Sequence, residues 1–252
     1  MLSINLSGRL AVVTGGTGLL GRVMVRTMAA CGAGVVIHYR QNLQMAGQLL
    51  SEIGVTGVPG MIVQADVTVE RDVQSMKAKI NKTLGAPDVI INNAVIQYGW
   101  ANILEQPQDD YESQFRSCVL HNVLMAQAFV PAMIVKNWGR VIAINTECAM
   151  QNCPNQSAYV SGKRGMDGVL RVLAREVGQH QVTVNQVAPG WIINESASAH
   201  DNDEAYIQQV PLKRRGSAQD VANLVAFLAS DLAGFISGQY ISVSGGNVMP
   251  TI

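Results

Sequence analysis

Along almost the whole chain, short apolar runs alternate with stretches whose apolar residues recur at helical spacing. The runs at 9–13, 34–38, 61–64, 88–91, 139–144, 182–187 and 240–243 are short and dominated by Val, Ile and Ala, which predicts strands. Between them the pattern predicts helices over 20–30, 41–53, 69–83, 109–136, 157–177 and 218–229, the fourth broken near Arg116. Strands separated by helices run parallel, because each crossover returns the chain to the same edge of the sheet. The expected fold is α/β: a doubly wound parallel sheet of Rossmann type in a single domain over 1–252. The one long polar stretch, 193–209, follows a strand end and is expected to be a mobile substrate loop at the ligand edge.

Composition adds that the strands are buried on both faces. Only 14% of the 252 residues are charged, against about 25% in an average soluble domain, and 24 are glycine. Lys and Arg together number 18, as do Asp and Glu, so the net charge is zero. That argues against a nucleic-acid partner or a polybasic membrane anchor, and it favours self-association. No charged-then-apolar leader and no run of about 18 apolar residues is found. The four cysteines form no CxxC pair and no metal-ligand cluster accompanies them, so no metal is expected. Reduced thiols suit a cytoplasmic protein.

Candidate chemistry begins at Thr14–Gly21, TGGTGLLG, between the first strand and the first helix. Glycines there let backbone N–H groups approach a pyrophosphate at the positive end of a helix. An acid that would bind a ribose 2′-hydroxyl is absent from the end of the second strand, His38-Tyr-Arg-Gln-Asn42. Arg40 stands there instead, with no carboxylate expected opposite it. This favours NADP(H), with NAD(H) as the alternative. Tyr159 and Lys163 lie four residues apart at a helix start, on one face. An ammonium beside a phenol lowers its pKa toward useful acid–base range.

The loop, Asp66-Val67 after strand three, Asn92-Asn93-Ala94 after strand four, the Tyr159–Lys163 pair and Pro189-Gly190 after strand six come in one order. In this the chain resembles the short-chain dehydrogenase/reductase family over essentially its whole length. Within the family it looks closest to the 3-oxoacyl-carrier-protein reductases and the sugar or polyol dehydrogenases. The resemblance implies hydride transfer between a nicotinamide cofactor and a small ketone or secondary alcohol. It implies Tyr159 as general acid–base, Lys163 as the group that lowers its pKa, and Thr146 in place of the usual substrate-polarising Ser. It implies cofactor contacts from Gly15, Thr17, Gly18, Leu20, Gly21, Arg40, Asp66, Val67, Asn93, Tyr159, Lys163, Pro189 and Ile192. It also implies a homotetramer paired through the helices at 109–136 and 157–177.

Four departures from the family pattern stand near these groups. Leu19 takes the place of the middle loop glycine, with Gly at 18 instead, and Val95 replaces the last residue of NNAG. Thr146 replaces Ser, and Cys118 falls where an Asn normally stands beside a helix kink that holds a proton-relay water. No basic residue is placed in sequence to make Cys118 a reactive thiolate. These departures keep an alternative open: an impaired family member that binds a nucleotide as a sensor or scaffold. Tyr98, Trp100, Glu147, Gln151, Asn152 and Trp191 are substrate-pocket candidates, chosen by closeness to catalytic positions. Glu147 would orient a hydroxylated or cationic substrate, or else serve structure alone.

Overall fold

A computed structural model describes residues 3–193 and 202–249. Its strands are β1 (Leu10–Val13), β2 (Gly34–Tyr39), β3 (Gly60–Gln64), β4 (Val89–Asn92), β5 (Gly139–Ile144), β6 (Val182–Pro189) and β7 (Tyr240–Val243). They form one parallel sheet in the order β3-β2-β1-β4-β5-β6-β7. Val13 pairs with Ile37 of β2 on one side and Ile91 of β4 on the other. The chain order reverses at β1 and β4, the switch point where open α/β sheets bind ligands.

Helices α1 (Leu19–Ala30), α2 (Leu43–Gly54) and α9 (Ala218–Ala229) cover one face of the sheet. The opposite face carries α3 (Glu70–Thr83), α5 (His121–Lys136) and α7 (Ser157–Val177). Alternation along β1 feeds both layers. Ala11 and Val13 meet Met24 and Met28 of α1, whereas Leu10 and Val12 belong with Met76 of α3 and Met125 of α5. Apolar residues are therefore needed at every strand position, which is why the strands read as unbroken runs.

The helix predicted over 109–136 is not broken near Arg116. It is continuous from α4 (Gln108–Gln114) through a π-helical stretch, Phe115–Leu120, into α5. The wider turn frees a backbone carbonyl, and the Asn122 side chain reaches back to the Cys118 oxygen at 2.6 Å. Gln108–Lys136 is also long and apolar enough, by length and composition alone, to cross a bilayer. Its Met125, Phe129 and Met133 are buried in the core instead. The predicted loop at 193–209 is corrected in part: Asn202–Gln209 is a helix, α8, while 194–201 lie outside the described residues. A short helix that no periodicity announced, α6 (Cys148–Gln151), precedes α7.

Candidate active site

Beyond the C-terminal ends of β1 to β4 lies a cavity of about 470 Å³. Thr14 ties its floor together. Its hydroxyl accepts the N–H groups of Asn93 (2.8 Å) and Ala94 (3.1 Å) and donates to the Ile91 carbonyl. The Asn93 amide returns bonds to the Thr14 and Gly15 carbonyls. Gly15 has φ +61°, and a β-carbon on it would stand 3.0 Å from the Ala94 backbone. His38 props the loop from beneath. Its Nδ1 accepts the Gly15 N–H at 3.0 Å and its Nε2 donates to the Ala65 carbonyl at 3.0 Å, so the ring is neutral.

Burial pushes the His38 imidazole down to about 4. His121, also fully buried, is pushed down to about 3, first by burial and then by repulsion from His38. Both rings are neutral in the fold but would gain a proton near pH 6.5 once unfolded. Their stabilisation is therefore complete above that pH and is lost as pH falls toward 4. At about pH 5 each costs about 2 kcal/mol. Urea unfolding at about pH 7.5 and about pH 5 should show a combined loss of about 4 kcal/mol, and unchanged stability would refute the neutral assignment.

The structure brings Gly15, Thr17, Gly18, Leu20, Arg40, Asp66, Val67 and Asn93 to this cavity. Val95 lines it too, as its substitution for glycine suggested. Gly21 lies beneath the loop, where a β-carbon would stand 2.1 Å from the Gly15 carbonyl oxygen. Pro189 and Ile192 lie outside the cavity wall. The Pro189 carbonyl accepts the Glu147 N–H, and the Ile192 carbonyl accepts from Arg215.

Arg40 requires a correction: a carboxylate does oppose it. Its Nε stands 3.2 Å from Asp66 Oδ2. Burial raises the Asp66 pKa, but bonds from Thr68 and the Arg40 charge outweigh it and hold the carboxyl below its usual range. The cavity nonetheless fits an anionic group. Gly18 caps α1 without any side-chain bond, and the first turn holds no acid, so its N–H groups are left for a ligand. Ser117 Oγ, at the cavity wall, is buried with no partner.

A second cavity of about 470 Å³ shares Ile96 and Gln97 with the first. Tyr159 and Thr146 line it side by side, and the Thr146 hydroxyl accepts the Cys148 N–H at 3.2 Å. The Thr146 N–H donates to Asn145, and its carbonyl accepts from the Tyr240 hydroxyl. Asn145 in turn bonds the Gln186 side chain at 2.7 Å and the Lys163 carbonyl at 3.2 Å. The start of α7 is pinned where Tyr98 Oη accepts the Tyr159 N–H at 2.8 Å. Lys163 is buried. Its Nζ donates to the Ile144 carbonyl at 2.6 Å and stands 5.7 Å from the Tyr159 ring centre.

Burial raises the Tyr159 pKa, helped by the Cys148 and Cys118 thiols and opposed by the Thr146 hydroxyl. The expected lowering by Lys163 does not appear among the influences on the phenol, and burial, which strips it of water, sets the direction. Burial also lowers the Lys163 pKa. The Cys118 thiol lies close enough to act on Lys163, so a basic residue does stand near it, brought there by the fold. Of the pocket candidates, Tyr98, Trp100, Glu147, Gln151 and Trp191 line the second cavity. Asn152 instead caps α6 in the left-handed region. Tyr206 of α8 also lines it, and only its place in the polar stretch hinted at that.

Fold and site together define a dinucleotide-type domain in which a second cavity, lined by Tyr159 and Thr146, adjoins the phosphate-loop cavity. A family model described as enoyl-(acyl carrier protein) reductase matches residues 18–247. The 3-oxoacyl-[acyl-carrier-protein] reductase FabG of Escherichia coli is 34% identical over 249 residues, covering 98% of this chain and all of the relative. The enzyme of that name from Staphylococcus epidermidis is 34% identical over 245 residues, 95% of this chain and 98% of its own. A 7α-hydroxysteroid dehydrogenase, solved with NADH and 7-oxo glycochenodeoxycholic acid, superposes with a TM-score of 0.92. It is 28% identical and covers 98% of this chain and 97% of its own. The chain belongs to the short-chain dehydrogenase/reductase family and is an oxidoreductase of that class.

Proposed function

We propose that this protein interconverts a small ketone and its secondary alcohol with NADP(H), Tyr159 acting as the general acid–base. The observation that carries the reading is the meeting of two cavities at Ile96 and Gln97: the phosphate-loop cavity on one side, the Tyr159 and Thr146 hydroxyls on the other. When bound, the nicotinamide supplies or accepts the hydride. In reduction, the Tyr159 hydroxyl gives its proton to the substrate oxygen while the Thr146 hydroxyl donates a hydrogen bond to it. The Lys163 ammonium stabilises the phenolate that remains. Four glutamines, Gln97, Gln151, Gln156 and Gln209, line the reacting cavity and support a polar small substrate over the acyl chain of the relatives' name. Absorbance assays over a ketone and polyol panel, run beside a cofactor titration, test the reading. Binding without turnover would favour the sensor alternative, which the Cys118 and Val95 departures support.

For the cofactor, Asp66 takes the Nε edge of Arg40 and leaves its terminal nitrogens for a 2′-phosphate. Partial neutralisation puts the preference at the low end of a charge-assisted contact, about tenfold for NADP(H) over NAD(H). Arg40→Ala should erase it without greatly weakening NAD(H). Calorimetry with both cofactors decides, and equal or tighter NAD(H) binding by the wild type would overturn it. The homotetramer reading is supported by apolar residues left exposed on the paired helices, Phe115 and Val135 on one and Val172 on the other. Light scattering at micromolar concentration tests it, and a monomer would refute it.

A further inference from the structure

Glu147 follows Thr146, is only 3% exposed, and lines the reacting cavity. Its two oxygens are held from opposite partners. Tyr206 Oη stands 2.8 Å from Oε1, and Asn247 Nδ2 stands 3.1 Å from Oε2. The Tyr206 oxygen already accepts the Trp191 N–H at 2.8 Å, so its own hydrogen goes to Glu147. The Asn247 amide nitrogen can only donate. Both oxygens therefore accept, which is the pattern of an ionised carboxylate. Burial works the other way and holds the pKa of the group above its usual value, and the two donors offset that rise only in part. Gly190 keeps the arrangement open: a β-carbon there would stand 2.6 Å from Tyr206 Oη and 3.0 Å from Glu147 Oε2.

No lysine, arginine or histidine among the described residues pairs with this carboxylate. Among the described residues that line the cavity, Glu147 is the one acidic side chain, and both its oxygens accept hydrogen bonds as an ionised carboxylate's do. A buried, unpaired charge is costly to keep, and its natural complement is a cation brought by the ligand. The remaining wall suits one. Tyr98, Trp100, Trp191 and Tyr206 line the same space, and aromatic faces attract cations. The Arg215 guanidinium lies 5.0 Å over the Trp191 ring, an example of that attraction, but Arg215 does not line the cavity. No basic residue in the described wall would meet a substrate phosphate or carboxylate.

We infer that the substrate is a cationic small ketone or alcohol, bearing a protonated or quaternary amine that Glu147 receives. This rests on the oxidoreductase reading and names its substrate class. The test uses three ketones of matched shape, each with its substituent opposite the carbonyl: N-methylpiperidone, methylcyclohexanone and oxocyclohexanecarboxylate, with N,N-dimethyl-oxopiperidinium as a permanent cation. The kcat/KM of the cations should exceed that of the neutral ketone at least about tenfold, with the anion poorest. Glu147→Gln should bring the cation-to-neutral ratio close to one. Should that variant fail to fold, the wild type suffices. Raising pH past the amine's own pKa should remove the advantage of N-methylpiperidone and leave that of the quaternary ion. A neutral or anionic preference, or a ratio unmoved by Glu147→Gln or by amine deprotonation, overturns the inference. Calorimetry with the matching alcohols and cofactor-loaded protein separates the two claims. Tightest binding of the cation without any turnover would sink the proposed ketone–alcohol reaction and uphold the cation site. Turnover with neutral preference would do the reverse.

Discussion

Tyr159→Phe is expected to lower kcat by about 10²- to 10⁴-fold, the usual contribution of a positioned acid–base, while cofactor affinity stays within about twofold. The change removes one oxygen and keeps the ring. The contact that pins the start of α7, from the Tyr159 N–H to Tyr98, is made by backbone and survives. Thr146 also keeps its bonds through Asn145 and Tyr240. The loss would therefore report the proton and not a collapsed site. The raised phenol pKa adds a direction. Oxidation needs the phenolate, so its rate should climb with pH in the wild type and stay flat in the Phe variant. Retention of more than about a tenth of the wild-type rate would refute the assigned role.

The second large effect is expected from Gly21→Ala, a change of one methyl outside either cavity. The new carbon would lie 2.1 Å from the Gly15 carbonyl oxygen and 2.9 Å from the Gly16 α-carbon. Both are backbone atoms, so no side chain can swing away, and the loop must lift from α1. Overpacking of this kind costs about 1–3 kcal/mol in stability. The functional loss should be larger, because the N–H groups at the start of α1 would no longer converge. Forfeiting two charge-assisted bonds at about 1.5–3 kcal/mol each weakens cofactor binding more than a hundredfold. Gly18→Ala is the matched control for folding, since its β-carbon would meet nothing closer than 3.4 Å. Calorimetric titration and thermal melts of both variants would decide. Wild-type cofactor affinity in Gly21→Ala would contradict the packing described.

Much of this was legible in the chain because burial on both faces leaves strands as unbroken apolar runs. The loop glycines, Asn93 and the Tyr159–Lys163 pair were legible because their meaning is local: a strand end, a helix start, a four-residue spacing. What escaped was set by distant partners. Asp66 meets Arg40 only because β2 and β3 lie side by side, 26 residues of separation that no spacing rule encodes. Tyr206 reaches Glu147 across 59 residues. The π turn at Phe115–Leu120 follows ordinary helical periodicity on either side, so the chain reads as a break where the winding merely widens. The Tyr159 pKa went the other way from expectation because a pair rule carries no information about burial.

The reversal of strand order at β1 has a consequence for how the molecule is made. Strand β1 pairs with β2 within a few dozen residues, but its other edge waits for β4, and Thr14 finds Asn93 only 79 residues later. A growing or refolding chain therefore spends an interval with an apolar parallel edge open, since Val12 and Val13 have no neighbour on that edge until Ile90 and Ile91 arrive. Such long-range pairing is slow, and an open edge is where other unfinished chains attach. Refolding yield should then be governed by concentration during that interval. A nucleotide added to the solution can stabilise only chains that have already joined β1 to β4, since its cradle does not exist before.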